Sequence, residues 1–307
     1  MPSFLLRRLL HALFVVWGVV TVVFFLVRLT GDPAAFLVDQ TATQEEIAHV
    51  RRLLGMDRPL LAQYADFLRA VPRGDFGTSI RDKRPAMTMV LEHFWPATVE
   101  LSLAALVLST VLAIPLGVLS ATHRNGALDH LSRVASLFLQ SMPAFWLGLM
   151  LILLFAVMLG GLLPAFGSGT LRHLLLPALT LAAAPLAQNV RLIRSGMLEV
   201  LQQDYVRTAR AKGVAERGVV YRHALRNAAI PVITVTGLSL GFMLSGAIVV
   251  ETVFSWPGMG RLIVQAVPGR DFPVIQAGVF VFALVFVGIN LVVDVLYSVV
   301  DPRVRLT

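Results

Sequence analysis

Nucleotide hydrolysis, metal binding and nucleophilic catalysis each need particular side chains at particular spacings, and the usual sets are missing here. The only lysines are Lys83, after Asp82, and Lys212, after Ala211. Neither can close a GxxxxGK[ST] loop around phosphate. There is no HExxH pair and no GxSxG elbow, and with no cysteine there is no disulfide, thiolate metal site or Cys nucleophile. The seven histidines are scattered and read as loop or interfacial residues. No catalytic residue, resident cofactor or metal site is expected. What remains is one run, DYVRTARAKGVAERGVVYRHALRN from Asp204 to Asn227. Its chemistry is recognition: small Ala209 and Ala211 beside Gly213 let another surface approach the backbone, while the basic residues pair with acidic groups or lipid phosphates. Asp204 caps a first helix, Gly213 supplies a turn, and a second run carries Val219, Val220 and Leu225. An ordinary positively charged loop is the plainer alternative.

The elements that hold this run follow from composition. The chain has 307 residues, 57% hydrophobic and 14% charged, where soluble domains average about 25% charged residues. It is predicted to be an all-α integral membrane protein. The formal charge of +8 has no basic, aromatic-interleaved soluble module to carry nucleic-acid binding, so nucleic acid is not an expected partner. Crossing the hydrocarbon core takes about 20 apolar helical residues, and six stretches qualify: Leu9 to Leu29, Ala97 to Ala121, Val134 to Leu159, Leu174 to Ile193, Ala228 to Val250 and Val274 to Val300. Pro177 and Pro185 interrupt the fourth, and Gln188, Asn189, Arg191 and Arg194 load its end. The first reads as a retained signal-anchor helix, too long for a cleaved signal and without a small-x-small site before Gly31.

Charge sets the orientation. Arg7 and Arg8, Arg124 and Arg133, Arg303 and Arg305, and the basic residues from Arg191 to Arg226 all fall on one side of a six-span chain. That side should be the cytoplasm, with both termini inside. The opposite turns carry only Arg172, then Arg261 and Arg270. The expected organisation is 1–30 as tail and first span, 31–96 as a long external segment, and 97–307 as a core of five spans with the basic helical elbow near 204–216. In the external segment Thr43 and Glu46 make a capping box ahead of Ile47, Val50 and Leu54, Gly55 stops that helix, and Pro59 opens a second with Leu60, Leu61, Tyr64, Phe67 and Leu68. These short helices form either a docking surface or a packed cap.

Polar and small residues inside the spans supply further candidates. Gly237, Ser239, Gly241, Ser245 and Gly246 give the fifth span a small face, which serves close packing, an aqueous lining, or both. Asp294, Asn290, Glu100, Gln188 and Asn189 are the buried-polar candidates, with Asp294 read as a helix-end residue paired to a cytoplasmic arginine. The turn with Trp256, Pro257 and Gly258, and the segment with Arg270 and Asp271, form an external gate, a receptor-docking loop or plain turns.

RTARAKG, nine residues and then HALR resembles the EAA signature of bacterial ABC importer permeases, EAAxxxG, nine residues and IxLP. Arg207, Thr208 and Ala209 take the EAA positions, Gly213 the glycine, His223 and Leu225 the I and L positions, and Arg226 replaces the proline. The form is similar to that of the dipeptide, oligopeptide and nickel permeases, YVRTARAKG with RHALRNA and a later proline, here Pro231. GDFGTS from Gly74, SMPAFWLGL from Ser141, LPAFG from Leu163, LLPALTLA from Leu175, ETVFSWPGMGRL from Glu251, RDFPVIQ from Arg270 and NLVVDVLYSVVDPR from Asn290 extend the resemblance across the chain, toward the first of the two permease subunits. It implies a coupling helix whose contact with an ATPase is made by Arg207, Thr208, Ala209, Ala211, Lys212 and Gly213. It also implies a second homologous permease, two ABC ATPase subunits that bind ATP and Mg, an extracytoplasmic substrate-binding protein, and a place in the lipid of the bacterial inner membrane. Peptides, glutathione or nickel chelates are the implied cargo. An ion-gradient-driven secondary transporter is the alternative, although few intramembrane carboxylates and no clear internal repeat favour it. A membrane-embedded enzyme would need a catalytic pair that does not present itself.

Overall fold

The computed structural model describes residues 2–31, 34, 43–53 and 55–300; Leu54, Arg303, Arg305 and the side chain of Asp294 lie outside the described residues. Among these residues the secondary structure is helical, with one isolated bridge between Thr78 and Pro85. Five helices are long and apolar enough to cross a membrane, and a sixth crossing arises if a bent pair counts as one span.

The first helix, α1, is Pro2–Leu29. Two short helices follow, α2 at Gln44–Leu53 and α3 at Leu60–Ala70. The capping box forms: the Thr43 backbone N–H donates to Glu46 Oε2 at 2.7 Å, and the Glu46 N–H donates to Thr43 Oγ1 at 3.3 Å. Helix α4 runs continuously over Ala86–Thr122. Starting the second span at Ala97 therefore misses its first turns. Pro96 lies in a π-helical stretch, Phe94–Thr98, and this wider turn absorbs the missing donor of the proline.

The third predicted span departs most from the structure. A single helix from Val134 to Leu159 is replaced by two helices, α5 at Ala127–Ser141 and α6 at Ala144–Met158, bent by 110°. The cause is local, because Met142 precedes Pro143 and is held extended at φ −77°, ψ 131°. Helix α7, Leu171–Val200, does the reverse and continues through both Pro177 and Pro185 and past Ile193. Then come α8 at Asp204–Ala211, α9 over 216–228 with a π-helical middle, α10 at Ile230–Val253, α11 at Met259–Ala266 and α12 at Phe272–Val300.

The chain divides into two compact units. Among the described residues, one comprises 2–98 with 257–291, the other 99–256 with 292–300. In the first, α3 packs on α1 through Phe24, Phe25, Tyr64 and Phe67, and the ring series continues from Phe67 to Phe76 and Phe280. Thr21 and Tyr64 share a hydrogen bond of 2.7 Å, and Arg28 Nε donates to Gln63 Oε1 at 3.1 Å. So α3 is a half-buried cap packed on α1 through these contacts, whereas most of α2 is exposed. In the second unit α4 and α7 lie closest. A Cβ added at Gly117 would stand 2.7 Å from the Ile193 side chain, so glycine there sets the approach. Ala113, Val118, Ala121, Val190, Ile193 and Met197 fill that seam, and Val220, Ala224, Ala228 and Val232 extend it toward α9 and α10.

Candidate functional site

The loop between α7 and α10 folds as a helical elbow. Helix α8 begins at Asp204, with Gln203 as the N-cap and no side-chain cap bond. Asp204 is thus the first helical residue rather than the cap, placed where a carboxylate meets the positive end of the helix. The helix closes at Gly213, whose φ of +77° lies in the left-handed region. Its N–H donates to Arg210 O at 2.9 Å and the Val214 N–H to Ala209 O at 3.2 Å, satisfying carbonyls that a helix end leaves open. A Cβ at Gly213 would meet nothing within 4 Å. Two contacts brace the elbow from outside. Arg210 spans the turn to Glu216 with Nε at 3.1 Å and Nη2 at 2.7 Å, and Asn227 Nδ2 donates to Tyr205 Oη at 2.7 Å. The Arg210 hydrogen bond holds the Glu216 carboxyl below the ordinary glutamate value, and Glu216 in turn raises Arg210.

The elbow has two unlike sides. Underneath, Val206, Ala209 and Val219 are buried against Val200 and Leu201 at the end of α7. Outside, Arg207, Thr208, Ala211, Lys212 and Gly213 are exposed. Ala209, named among the expected contact residues, falls on the packed side of the helix. Its spacing from Val206 explains this, since residues three apart share a helical face.

Sequence reasoning missed the anchor of this region. Asp129 on α5 is fully buried and accepts from Arg194 Nε at 2.6 Å and Nη2 at 2.9 Å, from Ser120 Oγ at 2.6 Å and from the Asn125 N–H at 3.0 Å. This bidentate pair ties α5 to α7, with α4 contributing the hydroxyl. Arg194 was visible as a charge loading the end of a span. Its partner lies 65 residues away in an amphipathic helix, where nothing local marks it.

The small residues of α10 separate on inspection. Ser239 is buried and donates to Val235 O at 2.8 Å, off the face shared by Gly237, Gly241 and Ser245. Gly241 is buried, Ser245 exposed, and a Cβ at Gly237 would stand 3.3 Å from Val293, which is close packing. Asn189 is buried and donates to Thr236 Oγ1 at 3.2 Å, with its Oδ1 unpartnered, whereas Gln188 and Glu100 are exposed. Asn290 donates to Phe286 O at 2.7 Å.

The turn residues differ in accessibility as well. Trp256 is buried, and its N–H donates to Glu251 O at 2.9 Å to close α10. Pro257 is exposed and Gly258 is the buried N-cap of α11. Asp271 is buried and accepts from Ser79 Oγ and from the N–H groups of Ile80 at 3.1 Å and Arg81 at 3.4 Å. It secures the segment after GDFGTS rather than offering a carboxylate to solvent. Arg270 lies so near Gly31 that a Cβ there would come within 2.3 Å of its guanidinium. Among the described residues no group of three or more His, Asp or Glu is placed to hold a metal ion.

This is the architecture of a multi-pass helical membrane protein carrying an exposed, braced basic elbow. Residues 113–306 match the family described as binding-protein-dependent transport system inner membrane component, and residues 1–102 match its N-terminal companion. The chain is 44% identical over 306 residues to the glutathione transport system permease protein GsiC of Salmonella typhimurium strain LT2, covering 99% of both chains; the GsiC of Escherichia coli K12 gives the same figures. It is 41% identical to the dipeptide transport system permease protein DppB of Alkalihalophilus pseudofirmus, covering 99% of this chain and all of the relative. The chain belongs to this family of ABC importer permeases, in the peptide and nickel branch. It is a translocation-pathway subunit and a multi-pass protein of the bacterial cytoplasmic membrane, of a kind that works with ATPase and substrate-binding partners. An ion-gradient-driven carrier is not favoured.

Proposed function

We propose that this chain forms half of the pathway of an importer for dipeptides, oligopeptides or a related cargo such as glutathione or a nickel chelate, and that α8 is its coupling helix. Specificity within that group falls to the binding protein. The observation that carries the reading is the two-sided elbow, exposed at Arg207, Thr208, Ala211, Lys212 and Gly213 and fixed beneath to the end of α7. A short helix packed on a long one passes a displacement along as a rigid body.

The bent pair α5 and α6 counts here as one span, giving six, with both termini and the elbow in the cytoplasm as the arginine distribution requires. Residues 1–30 are the tail and first span, 31–96 the external segment and 97–307 the permease core. The partners are a second, homologous permease, two ATPases that bind ATP and Mg, and an extracytoplasmic binding protein. The chain itself performs no catalysis. Ser245, exposed on α10, is assigned to the pathway wall, Gly237 and Gly241 to helix packing, and the exposed Pro257 to external docking. The natural absence of cysteine makes the test direct. A Lys212→Cys chain should cross-link to a cysteine-bearing ATPase in the assembled complex, and failure there, with cross-linking from the opposite membrane side, would contradict the assignment.

A further inference from the structure

One carboxylate in the second unit faces two guanidiniums. Asp129 accepts two hydrogen bonds from Arg194 of α7, at 2.6 and 2.9 Å. Arg133, one turn along α5 from Asp129, holds Nε 3.7 Å from Asp129 Oδ1, and that Nε is buried with no hydrogen-bond partner among the described residues. Arg133 Nη2 meets His130 Nδ1 at 2.9 Å, so the guanidinium is steered from its far end while its near end stays unbonded.

A buried donor without an acceptor is costly, and one pointed at a carboxylate already saturated by another arginine is a second partner in waiting. The two arginines are not equivalent. Arg133 travels with Asp129 on α5, whereas Arg194 belongs to the helix whose end, at Val200 and Leu201, lies under Val206, Ala209 and Val219 of the elbow. A displacement of the elbow therefore reaches Arg194 directly, and Arg133 only through α5.

We infer that Asp129 is a positioning residue of the transport cycle. Its carboxylate is held by Arg194 in the conformation seen here and passes to Arg133 when α7 moves with the elbow. Without a replacement cation, parting Asp129 from Arg194 would strand a buried charge and lock α5 to α7. With Arg133 at hand the two helices separate at small cost, and the α5–α6 bend follows or stays behind according to which arginine holds the carboxylate. This rests on the reading of α8 as the coupling helix.

The test uses the assembled complex in proteoliposomes with its binding protein. Cysteines introduced at the exposed Val134 of α5 and Ser195 of α7 carry spin labels, and their separation is measured with and without ATP and vanadate. The wild-type background should show a distance change on trapping. Arg133→Gln should keep the resting distance, lose the change and lower substrate uptake about tenfold, the scale of a typical coupling energy. Arg133→Lys should restore part of both. A wild-type distance that stays fixed while ATP drives uptake overturns the exchange alone, as does an Arg133→Gln complex that behaves as wild type. Uptake that needs no ATPase overturns the coupling reading itself.

Discussion

At the level of single residues, the elbow depends on Gly213 for its turn and on Arg210 with Glu216 for its brace. A left-handed backbone costs a non-glycine residue about 1 kcal/mol, and open space surrounds the missing Cβ. Gly213→Ala is therefore expected to lower stability by about that amount and to leave transport largely intact, as thermal unfolding and uptake would register. The brace titrates. Because the Glu216 carboxyl is depressed in the folded chain, its contribution is present above the ordinary glutamate range and fades as pH falls through the lowered value. Amide protection in 204–216, taken relative to the intrinsic exchange rate at each pH, should fall on acidification in the native chain, and Glu216→Gln should show the lower protection at every pH; equal protection in both would deny the brace. The pair is half exposed, so this effect is local and small. Arg194→Ala leaves the Asp129 carboxylate to Arg133, whereas Arg194→Ala combined with Arg133→Gln strands it and is expected to cost about 3 kcal/mol by the same unfolding assay. The elbow was legible in the sequence because all its parts lie in one short run. Asp129 with Arg194 was not, because only folding brings residues so distant in the chain together.

Among the helices, proline explains both the successes and the misses. Span positions follow from apolar length alone, and the long helices stand where hydropathy put them. Whether a proline bends a helix depends on surroundings that hydropathy does not report. Pro177 and Pro185 stay inside α7, where Leu176, Ala178, Leu181, Ala183 and Ala187 are buried around them, and tertiary packing offsets the lost bonds. Pro143 follows an extended Met142 and turns the chain by 110°. Pro143→Ala removes the steric reason for the bend, and labels placed on α5 and α6 should then move apart toward a straight helix; an unchanged distance would mean that packing alone sets the angle. The seam of α4 and α7 is equally specific. Gly117→Leu forces Ile193 aside and should destabilise by roughly 1–3 kcal/mol, measurable as a fall in melting temperature of the purified subunit in detergent.

For the molecule as a whole, the composition marks a membrane chain, the arginine distribution underlies the proposed orientation of the spans, and family membership implies ATPase and substrate-binding partners. These meet at one claim, that the exposed side of α8 is where hydrolysis in another chain becomes movement in this one. The most direct measurement compares the wild-type, Gly213→Ala and Gly213→Trp complexes in proteoliposomes, reading substrate uptake and substrate-stimulated ATP hydrolysis together. Alanine and tryptophan impose the same backbone cost, and only tryptophan fills the space where an ATPase would sit. The account predicts that Gly213→Ala retains both activities while Gly213→Trp loses both in a subunit that still inserts and folds. Uptake by Gly213→Trp at the wild-type rate would contradict it.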